Sequence, residues 1–374
     1  MRAYAFAGSA PPLHAGPRGL TDQPSGVVAQ VSGLVATVFG STGFLGSYVV
    51  DALGKRGSQV VVPYRCPEEQ YMHLKLMGDL GQIVPLEFSL RDDDAALRAL
   101  VKRSNVVINL LGRDYETRNY SFEDVHVTAA RRIAEACAEQ GVSKLIHLSA
   151  NGASADSASS WLRSKARGEA AVREAFPSAT IVRPTRMYGA EDRFLRSIAV
   201  SIKKLPVVPV VDGGAAAVQP VEARDVALAI AEMLKEEAGA EGRTYELAGP
   251  SVYKLSELVK IVYDTIREPE SSVPVPLALM RLLGLPREAL LKVLPLPILS
   301  PSLFTLDEMV RLSLDDLPSG TEPGMADLGI EPRRLEGVNL DYLRMYRQGG
   351  YDFGITAATA DGARPHETAV TSDR

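Results

Sequence analysis

The sequence predicts a doubly wound α/β fold, a parallel sheet with helices on both faces, followed by a smaller C-terminal lobe. Three observations point there. Short apolar runs alternate with amphipathic helical stretches, a glycine-rich turn joins the first run to the first helix, and the rhythm changes after residue 205.

The first run, Leu34 to Phe39, turns through glycines into a stretch that places Phe44, Leu45, Tyr48, Val49, Ala52 and Leu53 at helical spacing. Further strands are expected at Val60–Val62, Ile83–Phe88, Val106–Leu111, Leu145–Leu148 and Thr180–Val182. Helical stretches at Val125–Glu139 and Ser164–Phe176 lie between them. Strand, helix and strand in succession imply right-handed crossovers and a parallel sheet. Beyond 205, Pro206, Pro209, Gly213 and Gly214 break the pattern before helical segments at Asp225–Glu236, Ser256–Arg267 and Thr305–Leu312. The domain reading is an N-terminal extension at 1–32, a nucleotide-binding domain at 33–205, a smaller lobe at 206–355 and a polar tail at 356–374.

With 46% hydrophobic residues in 374, the chain has enough apolar side chains for one large core and a second small one. A formal charge of −5 and no long basic block argue against nucleic acid as a partner. Cys66 and Cys137 fit neither a disulfide framework nor metal-ligand spacing, so no metal is expected, and a reducing compartment suits them. The first 31 residues lack the apolar core of a secretory signal. The stretch 273–306 is rich in Leu, Pro and Val, but charges interrupt it. Its longest uncharged run, Val293 to Leu306, is too short to span a bilayer, and the stretch reads either as an apolar surface against a membrane or partner or as packing of the second lobe.

Gly40-Ser41-Thr42-Gly43-Phe44-Leu45-Gly46 carries the first chemical signal, because it follows a strand and opens a helix. Small residues there let a backbone approach a dinucleotide pyrophosphate, which sits on the free N–H groups and positive dipole end of the helix. About 20 residues on, where an NAD-binding protein offers a carboxylate to the ribose 2′-hydroxyl, the second strand ends at Arg65. A guanidinium there suits a 2′-phosphate, and the expected cofactor is NADPH. Ser89 and Leu90 after the third strand, and Leu110, Leu111 and Gly112 after the fourth, occupy the strand ends that flank adenine and the second ribose in this fold. Asp92 reads as the cap of the following helix.

Ser149 ends the fifth strand, and Trp161 and Lys165 lie four apart on one helix face. Here the sequence resembles the extended, atypical short-chain dehydrogenases, whose catalytic motif is YxxxK with an upstream serine. The resemblance implies that Ser149 and Lys165 contact the nicotinamide end, that Trp161 occupies the place of the tyrosine, and that Pro184, in Arg183-Pro184-Thr185-Arg186, belongs to the loop beside the nicotinamide. An indole N–H is no general acid, so the motif keeps the means to hold a cofactor and loses the usual proton donor. Tyr71, Tyr115, Tyr120 and Tyr188 lack the needed spacing, and no catalytic residue is assigned.

Pro63-Tyr64-Arg65-Cys66, Met77-Gly78-Asp79-Leu80-Gly81-Gln82, Asn105 to Leu110 with Gly112-Arg113-Asp114, and Glu191 to Leu195 together resemble one branch of that superfamily. This is the NADPH-binding accessory subunit of mitochondrial respiratory complex I. The likeness spans roughly 33–341. It implies a non-catalytic subunit, peripheral on the matrix side of the inner membrane, that keeps NADPH as a structural cofactor. Its partners would be core subunits around the quinone site and membrane-arm junction, with the membrane surface met through 273–306. Trp161 departs from the wider superfamily, as does Ser89, where an acidic residue is common. Two other readings stand beside it, an NADPH-dependent reductase or epimerase using a non-standard acid, and a redox sensor with Cys66 as its thiol.

Overall fold

A computed structural model describes residues 33–282, Leu285 and 305–349. The expectations for 1–32, for 356–374 and for most of 283–304 lie outside the described residues.

The strands are β1 (Val35–Phe39), β2 (Gln59–Tyr64), β3 (Ile83–Glu87), β4 (Val106–Asn109), β5 (Lys144–Leu148), β6 (Thr180–Pro184), β7 (Met187–Tyr188), β8 (Val208–Val211), β9 (Ala217–Val218), β10 (Val221–Glu222), β11 (Thr244–Leu247), β12 (Tyr253–Lys254) and β13 (Ser272–Val275). The helices are α1 (Phe44–Lys55), α2 (Asp94–Val101), α3 (Ala129–Gln140), α4 (Ser160–Ala175), α5 (Leu195–Lys204), α6 (Ala223–Met233), α7 (Leu255–Ile266) and α8 (Leu306–Leu312). Seven strands form one parallel sheet in the order β11-β6-β5-β4-β1-β2-β3. The fold is doubly wound and Rossmann-like, as the alternating pattern predicts.

Both faces of this sheet are covered, which is why its strands are nearly continuous apolar runs. In β4, Val106 and Ile108 face a core shared with Val49 and Leu53 of α1 and Val226 and Ile230 of α6, while Val107 faces Leu97 of α2, Ile133 of α3 and Val172 of α4. β1 pairs with β2 on one side and β4 on the other, so the strand order reverses beside it. The carboxyl ends of β1, β2 and β4 therefore open a crevice at that point.

Several boundaries differ from the sequence expectation. α4 begins at Ser160 rather than Ser164, because Ser159 caps it with its hydroxyl on the Leu162 amide (3.2 Å). A π-helical turn at Glu123–Thr128 leads into α3. Asp92 does not cap α2. Its carboxylate is engaged by the Ser89 amide (2.7 Å), and the cap is Asp93, which accepts from the Ala96 amide (2.8 Å).

Segments downstream of 205 also build the first layer. β11 extends the large sheet beside β6, and α6 packs on α1, where Arg56 donates to the Ala231 carbonyl (2.5 Å) and pairs with Glu232. Arg183 of β6 holds Glu169 of α4 (2.7 Å) and lies 3.8 Å from Glu246 of β11. Both carboxylates are buried. The second core gathers α5, α7 and a 3-10 segment at 337–346 around Leu195, Ile198, Val262 and Leu343. β8 and β13 pair in parallel beside it.

The first turn of α1 packs tightly on the glycine loop. A Cβ on Gly46 would fall 2.3 Å from the Gly40 carbonyl oxygen and 2.5 Å from the Ser41 backbone. Gly46→Ala is expected to cost at least about 2 kcal/mol, as overpacking against backbone does, read as a lowered urea midpoint with an unchanged slope.

Candidate functional site

The site lies at the carboxyl ends of β1 to β4. Gly40 takes φ of +79°, and a Cβ on it would meet the Leu110 carbonyl group at 3.0 Å. The turn therefore needs glycine for its conformation and for its contact with β4. The Gly43 amide donates back to the Gly40 carbonyl (3.0 Å), and Gly43 stands at the N-cap of α1 with no side chain on the helix amides. No acidic residue lies in the first turn. The free amides and dipole end are left facing the crevice.

Thr42 and Gly43 are exposed there, whereas the Leu45 side chain packs into the core, leaving only its backbone to the site. The Ser41 hydroxyl is fully buried and makes no hydrogen bond among the described residues. A polar atom so placed costs free energy unless a ligand completes it. An uncapped helix, a cradle closed by glycine and an orphaned hydroxyl together fit a dinucleotide pyrophosphate.

Beside the glycine loop lies a cleft of about 100 Å³, lined by Gly40, Thr42, Arg65, Leu90, Leu111 and Tyr120 among others. Gly112 also lines it. Leu110 contributes backbone to the packing of Gly40, and Ser89 shapes the turn before Leu90 by accepting the Arg91 amide on its hydroxyl (3.3 Å). The Arg65 guanidinium sits 5.1 Å from the centre of the Tyr120 ring.

At the other end, Lys165 is buried and its ammonium donates to the Leu148 carbonyl (3.0 Å). Gly112 lies next to it, since a Cβ there would come 3.4 Å from the Lys165 nitrogen. Ser149 is buried with its hydroxyl unpartnered among the described residues, a second orphan on this line. Pro184 ends β6, accepts the Asn151 amide (3.0 Å) and is buried beside β11. Its side chain, like those of Leu45 and Leu110, is committed to packing. Burial, chiefly, lowers the Lys165 pKa to about 8.

The model of the NAD dependent epimerase/dehydratase family matches residues 36–248. Mitochondrial NADH dehydrogenase [ubiquinone] 1 alpha subcomplex subunit 9 of Arabidopsis thaliana is 45% identical over 321 residues, 86% of this chain and 80% of its own length. The protein of that name from Mus musculus is 44% identical over 310 residues, 83% of this chain and 79% of its own. This chain belongs to the NAD dependent epimerase/dehydratase family, in the group of these alpha subcomplex subunits. In structure it resembles UDP-glucuronic acid 4-epimerase from Bacillus cereus, with a TM-score of 0.55 and 15% identity over 65% of this chain and 86% of that one. That likeness concerns the fold.

Within this epimerase-like frame, the face above Ser149 and Lys165 is occupied by the chain itself. Trp161 donates from its indole nitrogen to the Arg113 carbonyl (2.7 Å), and the Arg311 guanidinium lies 4.3 Å from the ring system. Asp307 accepts from the Ser159 hydroxyl (2.7 Å) and the Ser160 amide (2.7 Å), fastening α8 to the start of α4. Glu308 pairs with Arg186 (2.9 Å) and with Arg311. Asn151 donates to Asp316 and to the Leu317 carbonyl, both at 2.8 Å.

His126, which sequence reasoning passed over, holds the underside. The Arg113 amide donates to its Nε2 (3.1 Å), so its Nδ1 carries the proton and donates to the Ser164 hydroxyl (2.7 Å). Burial drives its pKa down to about 2, and it stays neutral. No tyrosine hydroxyl bonds to Ser149 or Lys165 among the described residues. Cys66 is half-buried and free, Cys137 is buried in α3, and no group of three potential metal ligands forms among the described residues.

The depressed Lys165 pKa has a signed consequence. Between pH 8 and about 10.4, the ordinary lysine value, the unfolded chain binds a proton that the folded chain does not, so stability rises with pH in that window. Lys165→Met removes this dependence. Its stability advantage over the parent chain, free of nucleotide, is expected to shrink by up to about 3 kcal/mol from pH 7 to pH 10.4, measured by urea unfolding at both values.

Proposed function

We propose that this chain is an accessory subunit of mitochondrial complex I that holds NADPH as a structural cofactor and performs no catalysis of its own. The assembly is inferred from the names of relatives that match over most of the chain. The non-catalytic role rests on Trp161. Where a reductase of this fold needs a proton donor four residues before its lysine, this chain has an indole whose N–H is spent on the Arg113 carbonyl and whose ring is covered by Arg311. An indole has no proton to give at neutral pH.

The cofactor reading is supported by the cradle at Gly40 to Gly46, by the two orphaned hydroxyls and by Arg65 at the end of β2. NADPH brings four negative charges from its phosphates, more than enough to complement free helix amides and a guanidinium. In solution it is a hydride donor, and here the residues around it bind it without offering the proton that would complete a reduction. Lys165 would hold the nicotinamide ribose and Ser149 would satisfy its hydroxyl there.

The subunit would lie on the matrix side, near the quinone site and the junction with the membrane arm. No helix among the described residues is long and apolar enough to cross a membrane. Val273, Leu279 and Leu282 are exposed in the described part of 273–306, which suits a surface that meets a partner or the membrane.

Separation of native membranes, solubilised in mild detergent, is expected to carry this chain with the complex I core subunits, detected by mass spectrometry. Migration as a small free species would overturn the subunit reading and favour a soluble reductase or epimerase. Arg65→Glu is expected to weaken NADPH binding by about tenfold or more while leaving NADH within a few-fold. Equal losses for both would remove Arg65 from the 2′-phosphate.

A further inference from the structure

We propose that Arg91, together with Arg65, forms a two-armed clamp for the ribose 2′-phosphate, and that Tyr120 is the residue that positions both arms. The proposal rests on the nucleotide reading above and adds to it a second guanidinium and a brace.

Arg65 follows β2 directly, and Arg91 lies four residues beyond β3. These strands pair in parallel from Val60↔Ile83 to Tyr64↔Glu87, so the offset between the two arginines is fixed by backbone hydrogen bonds. Arg91 is further set by its amide, which donates to the Ser89 hydroxyl. Both guanidinium carbons lie 5.1 Å from the centre of the Tyr120 ring, and that of Arg113 lies at 5.8 Å. Three cations thus converge on one phenol.

None of these three is ion-paired to a carboxylate among the described residues. Other arginines, such as Arg56, Arg132, Arg183, Arg186 and Arg311, are ion-paired, while among the described residues Arg118, Arg163, Arg196 and Arg224 are not. What marks Arg65, Arg91 and Arg113 is their convergence on one ring. Contact with an aromatic ring occupies a guanidinium through cation–π attraction and does not consume its in-plane N–H donors, which stay available for an oxyanion. The cluster borders the cleft that holds Gly40 and Thr42, and Arg65, Arg113 and Tyr120 all line it. Arg65 and Arg91 follow β2 and β3, three and four strands across the sheet from β5, whose carboxyl end Lys165 contacts, on the side where the adenosine half would be. An anion of two or more charges, presented on a ribose, completes this arrangement.

Tyr120 is held by the tight turn in which the Thr117 amide donates to its carbonyl (3.0 Å). Its ring, not its hydroxyl, meets the arginines, so Phe should serve in its place and a small side chain should not.

The test is calorimetric titration of the full chain and its variants with NADPH, NADH, 2′,5′-ADP and 5′-AMP. Arg91→Met is expected to raise the Kd for NADPH and 2′,5′-ADP by about ten- to hundredfold, the loss of charge-assisted hydrogen bonds, and to leave NADH and 5′-AMP within threefold. Tyr120→Leu should lose the same preference and Tyr120→Phe should keep it, with melting curves showing that each variant is folded. If Arg91→Met weakens NADPH and NADH alike, or neither, while Arg65→Glu remains selective, the clamp is overturned and the nucleotide reading stands. If the parent chain binds NADH as tightly as NADPH, the clamp falls in the same way. If it binds no nucleotide at all, the reading falls and the clamp with it.

Discussion

Everything in the site depends on how closely α1 crosses the end of β1. Because Gly46 has no side chain, the first turn of the helix rests directly on the Gly40–Ser41 backbone, and because Gly40 has none, that turn rests on β4. Two missing side chains thus bring a helix end, a strand end and a neighbouring strand into backbone contact. The donors that a larger residue would hide are left facing the crevice, and α6 secures the outer side of α1 through Arg56. The cost is local fragility, since close packing leaves no slack to absorb even one methyl group.

The chemistry of the crevice is divided along its length. At the β2 and β3 ends the groups are cationic and exposed, suited to holding charge. At the β5 end they are buried: His126 and His147 are driven down to about 2 and 3 by burial and stay neutral, and Lys165, lowered to about 8, still keeps most of its charge at pH 7. A dry, weakly charged pocket of this kind strengthens any hydrogen bond made in it. It supplies binding and position. On the proposed reading the place of a proton donor is taken by the Trp161 indole, and beside it α8 is tied down by Asp307, which accepts from Ser159 and Ser160, and by the Glu308 ion pair with Arg186.

The sheet was legible because its signals are local. Continuous apolar runs such as Val106 to Leu110 and the glycines after Phe39 announce themselves within a dozen residues. β11 was not, because Thr244 to Leu247 is short and carries Glu246, a charge acceptable in a buried strand beside Arg183 and the Ser319 amide and hydroxyl, all distant in the chain. The same holds for the site. Arg65, Ser41, Ser149 and Lys165 are fixed by spacing from strands and could be named in advance. Tyr120, Arg91, His126 and Arg311 act through partners brought in by folding, and nothing in their neighbours in sequence marks them. Leu45 and Pro184 show the converse, since motif position put them at the site and their side chains went to the core.

The chain contains one tryptophan. It happens to be Trp161, held between a cation from α8 and a carbonyl from the loop after β4, with the Lys165 ammonium 5.6 Å from its ring. Indole emission is sensitive to nearby charge and to water, and tyrosines can be avoided by the choice of excitation wavelength. The molecule therefore carries an intrinsic optical label at the contact between its two lobes, placed where loosening of α8 or occupation of the neighbouring crevice changes the field around a single fluorophore.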